Sequence, residues 1–267
     1  MSVIREAVRK AVSKSRKKLT QGELEKILSQ KLSAPRIAVK TAIRSLVADR
    51  ELTYTYHYGC SFLEKSFNKP TRISNRVVLK PPDIQYKAAS DDIVVNIQPG
   101  AAFGSGEHPT TRLAVRGIEQ VLSRSEFFQD KKDLHGLDIG TGSGVLAIVA
   151  AMLGIRQVVG LDIDPCARAE ALKNVHLNNL DNRIEIHDRN AENINTKFAL
   201  ITANLRYPTL KRLCPLLAKI TETGGAVVVS GVKADEVFNL LQMFNEMNFK
   251  CTWKEFEEDW AGLVVDC

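Results

Sequence analysis

A glycine-rich run between a strand-like and a helix-like stretch is the feature that most restricts how this chain can fold. Residues 138–144 read Asp-Ile-Gly-Thr-Gly-Ser-Gly. Glycines at alternate positions let the backbone turn sharply and approach a ligand where a Cβ would collide. Eighteen residues after Gly144, the apolar run Val158–Leu161 ends in Asp162, which can accept hydrogen bonds from ribose hydroxyls. The pattern predicts a nucleoside-type cofactor at the carboxyl edge of a parallel sheet.

Spacing and charge favour S-adenosylmethionine over a nicotinamide dinucleotide. The dinucleotide pattern is G-x-G-x-x-G, whereas this chain has G-x-G-x-G, and Val145 stands where the third dinucleotide glycine would be. Asp138, at the start of the turn, would repel a diphosphate but suits the ammonium and sulfonium groups of S-adenosylmethionine. With Asp138 before the turn and Asp162 after it, S-adenosylmethionine is the predicted cofactor.

Composition is that of a soluble globular chain with room for one large and one small domain. The 267 residues are 44% hydrophobic and 25% charged, and no apolar run approaches the roughly 20 residues that span a bilayer. The chain has five cysteines, an odd number that cannot all pair, and no two of them form a C-x-x-C motif. This argues against a disulfide framework or a metal site, and it predicts a reducing, cytoplasmic location without a membrane partner.

Charge is distributed unevenly along the chain. Residues 1–90 carry 19 Lys/Arg and 7 Asp/Glu, a balance of +12, while residues 91–267 carry 18 and 24, a balance of −6. Such asymmetry indicates two modules with different partners. The basic module could meet RNA, DNA or an acidic protein surface, and composition does not choose among them.

Residues 1–69 are predicted to form a small, basic, winged helix-turn-helix-like domain. Apolar residues recur at helical spacing in three segments, and a strand-like alternation follows them. Thr20 and Glu23 form a T-x-x-E capping box that begins the second helix. Arg36, Lys40 and Arg44 lie along one exposed side of the third helix. That helix lacks a base-reading Asn or Gln, so nucleic-acid contact, protein docking and a purely structural role all remain open.

The rest of the chain is predicted to be a linker and an α/β domain. Residues 70–92 are rich in proline and polar residues apart from Val77-Val78-Leu79, which indicates a linker with a short strand. Over residues 93–267, strand and helix patterns alternate as in a doubly wound sheet. Helices are predicted at 111–122, 145–153, 165–178 and 210–220, and strands at 134–139, 156–162, 183–187, 198–203, 225–230 and 262–265, with residues 251–256 completing a terminal hairpin.

Three further segments resemble the ribosomal protein L11 methyltransferase family. Residues 99–111 resemble its P-G-x-A-F-G-T-G-x-H-x-T-T signature, residues 203–210 its A-N-[IL]-x-x-P-L segment, and residues 224–232 its G-G-x-L-[IV]-L-S-G-I strand. The ending Trp260–Val264 is also similar. The resemblance covers roughly residues 75–267. It does not extend to residues 1–70, where the family has a different, ferredoxin-like substrate-recognition domain.

The resemblance implies a seven-stranded, Rossmann-like methyltransferase domain that methylates an amino group of a protein, either a lysine or an α-amine, with a ribosomal protein as a candidate. It implies that Asn204 is the catalytic residue, because its amide oxygen can hold an amine hydrogen and aim the nitrogen lone pair. Asp188, after the third strand, is a weaker candidate for the adenine amine. The residues that the resemblance and the turn assign to the cofactor are Thr111, Asp138, Gly140, Gly142, Asp162 and Asn204.

The segment 103–111 is interpreted as a lid over the cofactor. Its glycines give hinge freedom, Phe103 can cover the cofactor, and the hydroxyls of Thr110 and Thr111 can bond the methionine part or merely cap the next helix. His108 is interpreted as a residue that fixes the loop rather than as a base.

Two other functions stay open on the sequence. Arg206 and Tyr207 stand where amino-methyltransferases often carry Pro-Pro-Tyr, and a guanidinium beside a cationic lysine is unfavourable, which leaves room for a carboxylate- or phosphate-bearing acceptor. One alternative is an RNA or DNA methyltransferase whose basic domain grips phosphates. The other is a transcription regulator whose methyltransferase fold only senses the cofactor.

Overall fold

The structure, a computed structural model, describes most of the chain as two compact units. The described residues are 2–15, 17–57, 60–66, 69–98, 100, 102–104, 106, 108–129 and 133–267. The units are Met1–Lys69 and Pro70–Cys267. Within these ranges, none of the helices combines the length and the apolar composition needed to cross a bilayer.

The first unit is built from three helices and a small antiparallel sheet. Its described strands lie in the order β1-β3-β2. Apolar residues of all three helices and of the strands form one buried cluster, which includes Leu24, Ile43 and Leu63. Tyr58 and Gly59, between β2 and β3 in the sequence, lie outside the described residues. The elements are α1 (Ser2–Lys14), β1 (Leu19–Thr20), α2 (Gln21–Leu32), α3 (Arg36–Ala48), β2 (Leu52–His57) and β3 (Cys60–Lys65).

The predicted capping box begins α2. The hydroxyl of Thr20 accepts the backbone N–H of Glu23 at 3.3 Å, and the Glu23 carboxylate accepts the backbone N–H of Thr20 at 2.8 Å. Two backbone donors that the first turn of a helix leaves without partners are therefore satisfied reciprocally.

Residues 70–92 differ from the predicted linker with one short strand. They contribute two strands to a three-stranded sheet of order β4-β5-β6, and they belong to the second unit. The β-branched run around Val77 pairs in parallel with β6. Val77 and Leu79 are buried in the main core, so this segment is part of the folded unit and not a linker. The strands are β4 (Thr71–Arg72), β5 (Val77–Lys80) and β6 (Ile93–Asn96).

The second unit contains the predicted seven-stranded, mostly parallel sheet, in the order β12-β13-β11-β10-β7-β8-β9. Five neighbouring strands of this row, β11, β10, β7, β8 and β9, are parallel to one another. Strand β13 of the terminal hairpin is antiparallel to both of its neighbours, β11 and β12. Two helices, α5 and α9, are additional to the predicted ones. The strands are β7 (His135–Ile139), β8 (Gln157–Leu161), β9 (Ile184–His187), β10 (Phe198–Asn204), β11 (Thr221–Lys233), β12 (Lys250–Glu257) and β13 (Trp260–Asp266); the helices are α4 (Pro109–Leu122), α5 (Ser125–Phe128), α6 (Val145–Met152), α7 (Pro165–Leu177), α8 (Tyr207–Ile220) and α9 (Val237–Glu246).

Helices cover both faces of this sheet. Successive side chains of a strand point to opposite faces, so each strand serves two cores. Val228 packs in one core with residues of α4 and α6, such as Ile118 and Ile148. Its neighbour Val229 packs in the other core with residues of α8 and α9, such as Leu213. The sheet is therefore buried on both sides, as all-parallel strands require.

The strand order reverses at β7, and this reversal positions the site. Ile139 at the end of β7 pairs with Leu161 of β8 on one side and with Ala203 of β10 on the other. Ligands of open α/β sheets bind outside the carboxyl ends of the strands at such a switch point. Asp162 follows β8 directly and Asn204 ends β10, so both lie beside the glycine turn that follows β7.

Candidate functional site

A cavity of about 680 Å³ opens at the carboxyl ends of the central strands. Sites for small molecules typically occupy roughly 300–1,000 Å³. Of the residues that the sequence assigns to the site, five line this cavity and two do not. The five are Phe103, Gly140, Gly142, Asp162 and Asn204, and the other two are Thr111 and Asp138.

The glycine turn leaves no space for side chains at two positions. Gly140 has φ +73°, and a Cβ there would lie 2.7 Å from Cδ2 of Leu205. Gly142 has φ +55°, and a Cβ there would collide with the carbonyl oxygen of Phe103. Positive φ and close approach both require glycine. The turn is fixed by the carbonyl of Leu161, which accepts the N–H groups of Gly140 and Thr141, each at 2.8 Å.

Asp162 links the turn to the next strand. Its Oδ2 accepts the backbone N–H of Gly142 at 2.9 Å, and its Oδ1 accepts the backbone N–H of Asp164 at 3.0 Å. The side chain is half-buried and lines the cavity. Each carboxylate oxygen has two lone pairs, so each can still accept one hydrogen bond from a ligand. The arrangement suits two adjacent hydroxyl groups.

Asp138 lies beneath the turn instead of on the cavity wall. It is 1% exposed, and its two oxygens accept hydrogen bonds from the hydroxyls of Thr141 at 2.7 Å and Thr202 at 2.6 Å. Burial raises the pKa of Asp138 to about 6, although the two hydroxyl hydrogen bonds act in the opposite direction. A contact between Asp138 and a cofactor stays a prediction.

Thr111 is fully buried near the start of α4, and its hydroxyl oxygen has no hydrogen-bond partner in the described part of the chain. The buried hydroxyl of Ser143, in the glycine turn, has none there either. Leaving a buried polar group unpaired costs about 1–3 kcal/mol. Neither residue lines the cavity, so the structure shows two unpaired hydroxyls beside it and no contact of either with the cavity.

The Asn204 side chain also has no internal partner. It is half-buried at the end of β10, and its amide makes no hydrogen bond to the residues that the structure describes. Its backbone is fixed in register with Ser230 of β11. A rigidly held amide with free donor and acceptor groups faces the cavity.

Three rings stack at the rim of the cavity. The ring of His108 lies 5.3 Å from that of Phe103 and 4.9 Å from that of Trp260. Lys233 Nζ lies 3.7 Å from the Trp260 ring centre. Burial lowers the pKa of His108, and its Nδ1 accepts the Thr110 N–H at 3.3 Å, so it caps α4 as a neutral ring. Phe103 remains 52% exposed. Two residues of the predicted lid segment, Ser105 and Glu107, lie outside the described residues.

Helix α7 fastens the backbone just before the lid segment through a row of polar side chains that the sequence analysis missed. Glu170 accepts the N–H of Ala102 at 3.0 Å, and Asn174 accepts the N–H of Gln98 at 2.9 Å. Asn178 exchanges two hydrogen bonds with the backbone of Asn96. Asn174 also donates to the carbonyl of Ser143 at 2.8 Å, so one buried amide joins the approach to the lid to the glycine turn. Polar residues four apart on a helix that packs on a sheet could have signalled this row.

The adenine-side candidate Asp188 does not line the cavity, whereas the three residues that follow it do. Ile163, which is 84% exposed beside Asp162, also lines it. These residues follow β8 and β9 in the sequence. That place alone could have identified them, since the carboxyl ends of parallel strands lie at one edge of the sheet. The lining residues missed from the sequence include Ile163, Arg189, Asn190, Ala191, Leu205, Thr209 and Arg212.

The rim carries several arginines. Arg189 and Arg206 line the cavity and make no ion pair with the described residues. Arg212 lies 3.6 Å from Glu192. These guanidinium groups make the rim cationic where β9 ends and α8 begins.

The sheet order, the glycine turn after β7 and the acid after β8 define the class of α/β methyltransferase folds. A solved structure titled ribosomal protein L11 methylase, from Lactobacillus delbrueckii subsp. bulgaricus, is similar to 74% of this chain and 97% of its own, with a TM-score of 0.65 and 30% identity. The chain belongs to the ribosomal protein L11 methyltransferase (PrmA) family, whose model matches residues 63–266.

Curated relatives agree with this assignment. The ribosomal protein L11 methyltransferase of Heliobacterium modesticaldum is 33% identical over 202 residues, which are 75% of this chain and 61% of that protein. The protein of the same name from Citrifermentans bemidjiense is 34% identical over 195 residues, 73% of this chain and 62% of its own. The chain thus spans less than two thirds of these relatives, and residues 1–62 lie outside the family match. The resemblance seen in the sequence is confirmed.

Asp138 generates a prediction about stability and pH. Its pKa is raised from the ordinary 3.8 to about 6, so the folded state resists its ionisation. Its contribution to stability is complete below about pH 4 and is lost as the pH rises through about 6. Asp138→Asn keeps the shape without the charge. We therefore expect the variant to gain on the order of 3 kcal/mol relative to the native protein between pH 4 and 7, measured by urea denaturation. A difference that does not change with pH would contradict this.

Asn174 generates a second prediction. Asn174→Ala leaves the Ser143 carbonyl and the Gln98 N–H without partners, at a cost of about 2 kcal/mol. Amide hydrogen exchange across residues 142–144 should accelerate, because the turn loses its link to α7. Asn178→Ala is the matched control, since it frees the backbone of Asn96 and the Asn174 carbonyl but no group of the glycine turn. The exchange is measured by mass spectrometry. If it accelerates equally in both variants, Asn174 does not hold the turn.

Proposed function

We propose that this protein is an S-adenosylmethionine-dependent methyltransferase that methylates an amino group, a lysine or an α-amine, of a protein. One observation carries the proposal: the glycine turn, the Asp162 carboxylate and the unbonded amide of Asn204 face a single cavity. A cofactor site and an acceptor-side residue therefore share one space.

The residues present fit S-adenosylmethionine. Gly140 and Gly142 present bare backbone to the cavity, and Asp162 offers two acceptors to the ribose hydroxyls. Phe103 lies at the rim and would cover the cofactor, whereas a contact of the buried Thr111 with the methionine part rests on the family resemblance alone. When bound, this cofactor supplies an electrophilic methyl group on a sulfonium. Asp138 supports the site from below through Thr141.

Asn204 would orient the acceptor. Its amide oxygen can accept one hydrogen of an amine and so direct the nitrogen lone pair toward the methyl group. Alignment of this kind lowers a barrier by converting an encounter into a fixed geometry. The β10–β11 pairing holds the Asn204 backbone still, which keeps the alignment.

No described lining residue is suited to act as a strong base. Asp162 already accepts two backbone N–H groups, and Asp164 caps α7 by accepting the N–H of Cys166 at 2.9 Å. The acceptor must therefore be neutral when it reacts. Arg206 near Asn204 disfavours a second positive charge, so it favours the neutral form of an amine. Arg206, which stands where amino-methyltransferases often carry proline, would thus help to keep an amine acceptor neutral.

A ribosomal protein is the proposed acceptor, since the relatives are named ribosomal protein L11 methyltransferases. The first unit would present it. The order α1-β1-α2-α3-β2-β3 with an antiparallel sheet supports a winged-helix arrangement for residues 1–69. A cytoplasmic location is part of the proposal, because all five cysteines are free thiols.

A cofactor-sensing regulator is a poorer account of the site, since a sensor does not need an unbonded amide at the end of β10. Methylation of nucleic acid is separated from protein methylation by one experiment. The protein is incubated with methyl-labelled S-adenosylmethionine and a cell extract. Label that protease removes supports the proposal, and label that only nuclease removes would overturn it.

Asn204 provides the sharpest test of the acceptor role. Asn204→Ala should lower the rate of methyl transfer at least about a hundredfold, because misplaced reactants lose that much. Its affinity for S-adenosylhomocysteine should stay within about threefold of the native value. Asn190→Ala, which removes an amide from the β9 side of the same cavity, is the control and should affect mainly cofactor affinity. Equal losses of rate and of affinity in Asn204→Ala would refute the acceptor role.

A further inference from the structure

The outward face of α3 carries an unusual concentration of unpaired positive charge. Arg36, Lys40 and Arg44 follow one another at four-residue intervals, so they lie on one side of the helix. Arg36 and Arg44 are exposed, and Lys40 is half-buried. None of the three makes an ion pair or a side-chain hydrogen bond with the described residues. The opposite side of α3, with Val39 and Ile43, is buried in the core.

Acidic residues of the unit are kept away from this face. Residues 1–69 contain 15 Lys/Arg and 6 Asp/Glu, and α3 contains no acid, whereas α1 and α2 do. Five of the six acids pair with cations of α1 or of the segment after it. The pairs are Glu6–Arg9, Glu23–Lys17, Asp49–Arg5, Glu51 with Arg5 and Arg9, and Glu64–Lys18. The cations of α3 therefore have no acidic partner among the described residues. The same is true of Lys10, Lys26 and Lys31, but α3 alone of the three helices carries three such cations in one row at four-residue spacing.

The spacing of these cations matches a nucleic-acid duplex. At 1.5 Å per residue, Arg36 and Arg44 are about 12 Å apart along the helix axis. The major groove of B-form DNA is about 12 Å wide and admits an α-helix, and phosphates line both of its edges. A-form RNA has a deep, narrow major groove that does not admit one. Ile37, which is 66% exposed, and Thr41 lie between the cations and would face the groove floor.

We propose that the α3 face, defined by Arg36, Ile37, Lys40, Thr41 and Arg44, binds double-stranded DNA through its phosphate backbone. An acidic protein fits this face less well, because protein interfaces deplete charge at their centre and rely on aromatic anchors, while α3 offers one isoleucine. The proposal assigns the three cations of α3 to phosphates, which are the same at every base pair, so binding is independent of sequence. The inference goes beyond methyl transfer and does not depend on it.

Salt-dependent binding tests the proposal. The full chain is titrated into a fluorescein-labelled 20-base-pair DNA duplex at several salt concentrations, and anisotropy gives the dissociation constant. Each phosphate contact contributes about −0.9 to the slope of log affinity against log salt. The triple variant Arg36→Gln, Lys40→Gln, Arg44→Gln should therefore have a slope shallower by about 3, with affinity at least about tenfold weaker in dilute salt.

A matched variant removes the same charge elsewhere in the unit. Lys10, Lys26 and Lys31 are exposed and lie on α1 and α2, and each is changed to Gln. This control should keep most of the slope and affinity. Equal losses in the two variants would overturn the proposal, because net charge rather than α3 would then account for binding. Circular dichroism and the affinity for S-adenosylhomocysteine should be unchanged in both, since all six residues lie in the first unit, whereas the described lining of the cofactor cavity belongs to the second.

Competing ligands distinguish the partner classes. Duplex RNA of the same length should bind more weakly than DNA, and poly-glutamate at equal charge should not displace the DNA. Equal binding of duplex RNA would overturn insertion of a helix into the groove. Displacement by poly-glutamate would show instead that the face receives an acidic protein.

Discussion

The hydrogen bond from the Gly142 N–H to the Asp162 carboxylate is the interaction on which the site depends. It joins the turn after β7 to the end of β8, the two places where the sheet offers a ligand its edge. The same carboxylate is held by the Asp164 N–H, so its orientation is fixed before any ligand arrives. A preformed acceptor pair of this kind avoids an ordering cost on binding.

Support for this contact comes from behind and from the side. Asp138 is buried under the turn, which raises its pKa, and it accepts two hydroxyl hydrogen bonds there, which act in the opposite direction. Asn174 of α7 holds the turn and the approach to the lid at once. The site is therefore rigid where the cofactor would bind, whereas Phe103 at the rim is half exposed. A site that admits a ligand and then covers it needs both features: a rigid binding surface and an exposed residue at the rim.

The sequence predicted the parts that have a strong local signal. Period-two and helical patterns located the seven-stranded sheet, and the spacing of glycines and acids identified the turn and Asp162. The short strand at Val77–Leu79 was predicted, but its pairing with β4 and β6 was missed, because its proline-rich flanks indicated a linker. Asn174 was missed because its partners are backbone groups distant in sequence. Asp138 was expected at the cavity, but only three-dimensional packing shows that Thr141 and Thr202 enclose it.

Calorimetric titration with S-adenosylhomocysteine measures the central claim most directly. The native protein should bind one molecule per chain, and Asp162→Ala should bind at least about tenfold more weakly, since hydrogen bonds to a charged group are worth about 1.5–3 kcal/mol each. NAD should give no heat. Heat of binding with NAD and none with S-adenosylhomocysteine would contradict the account.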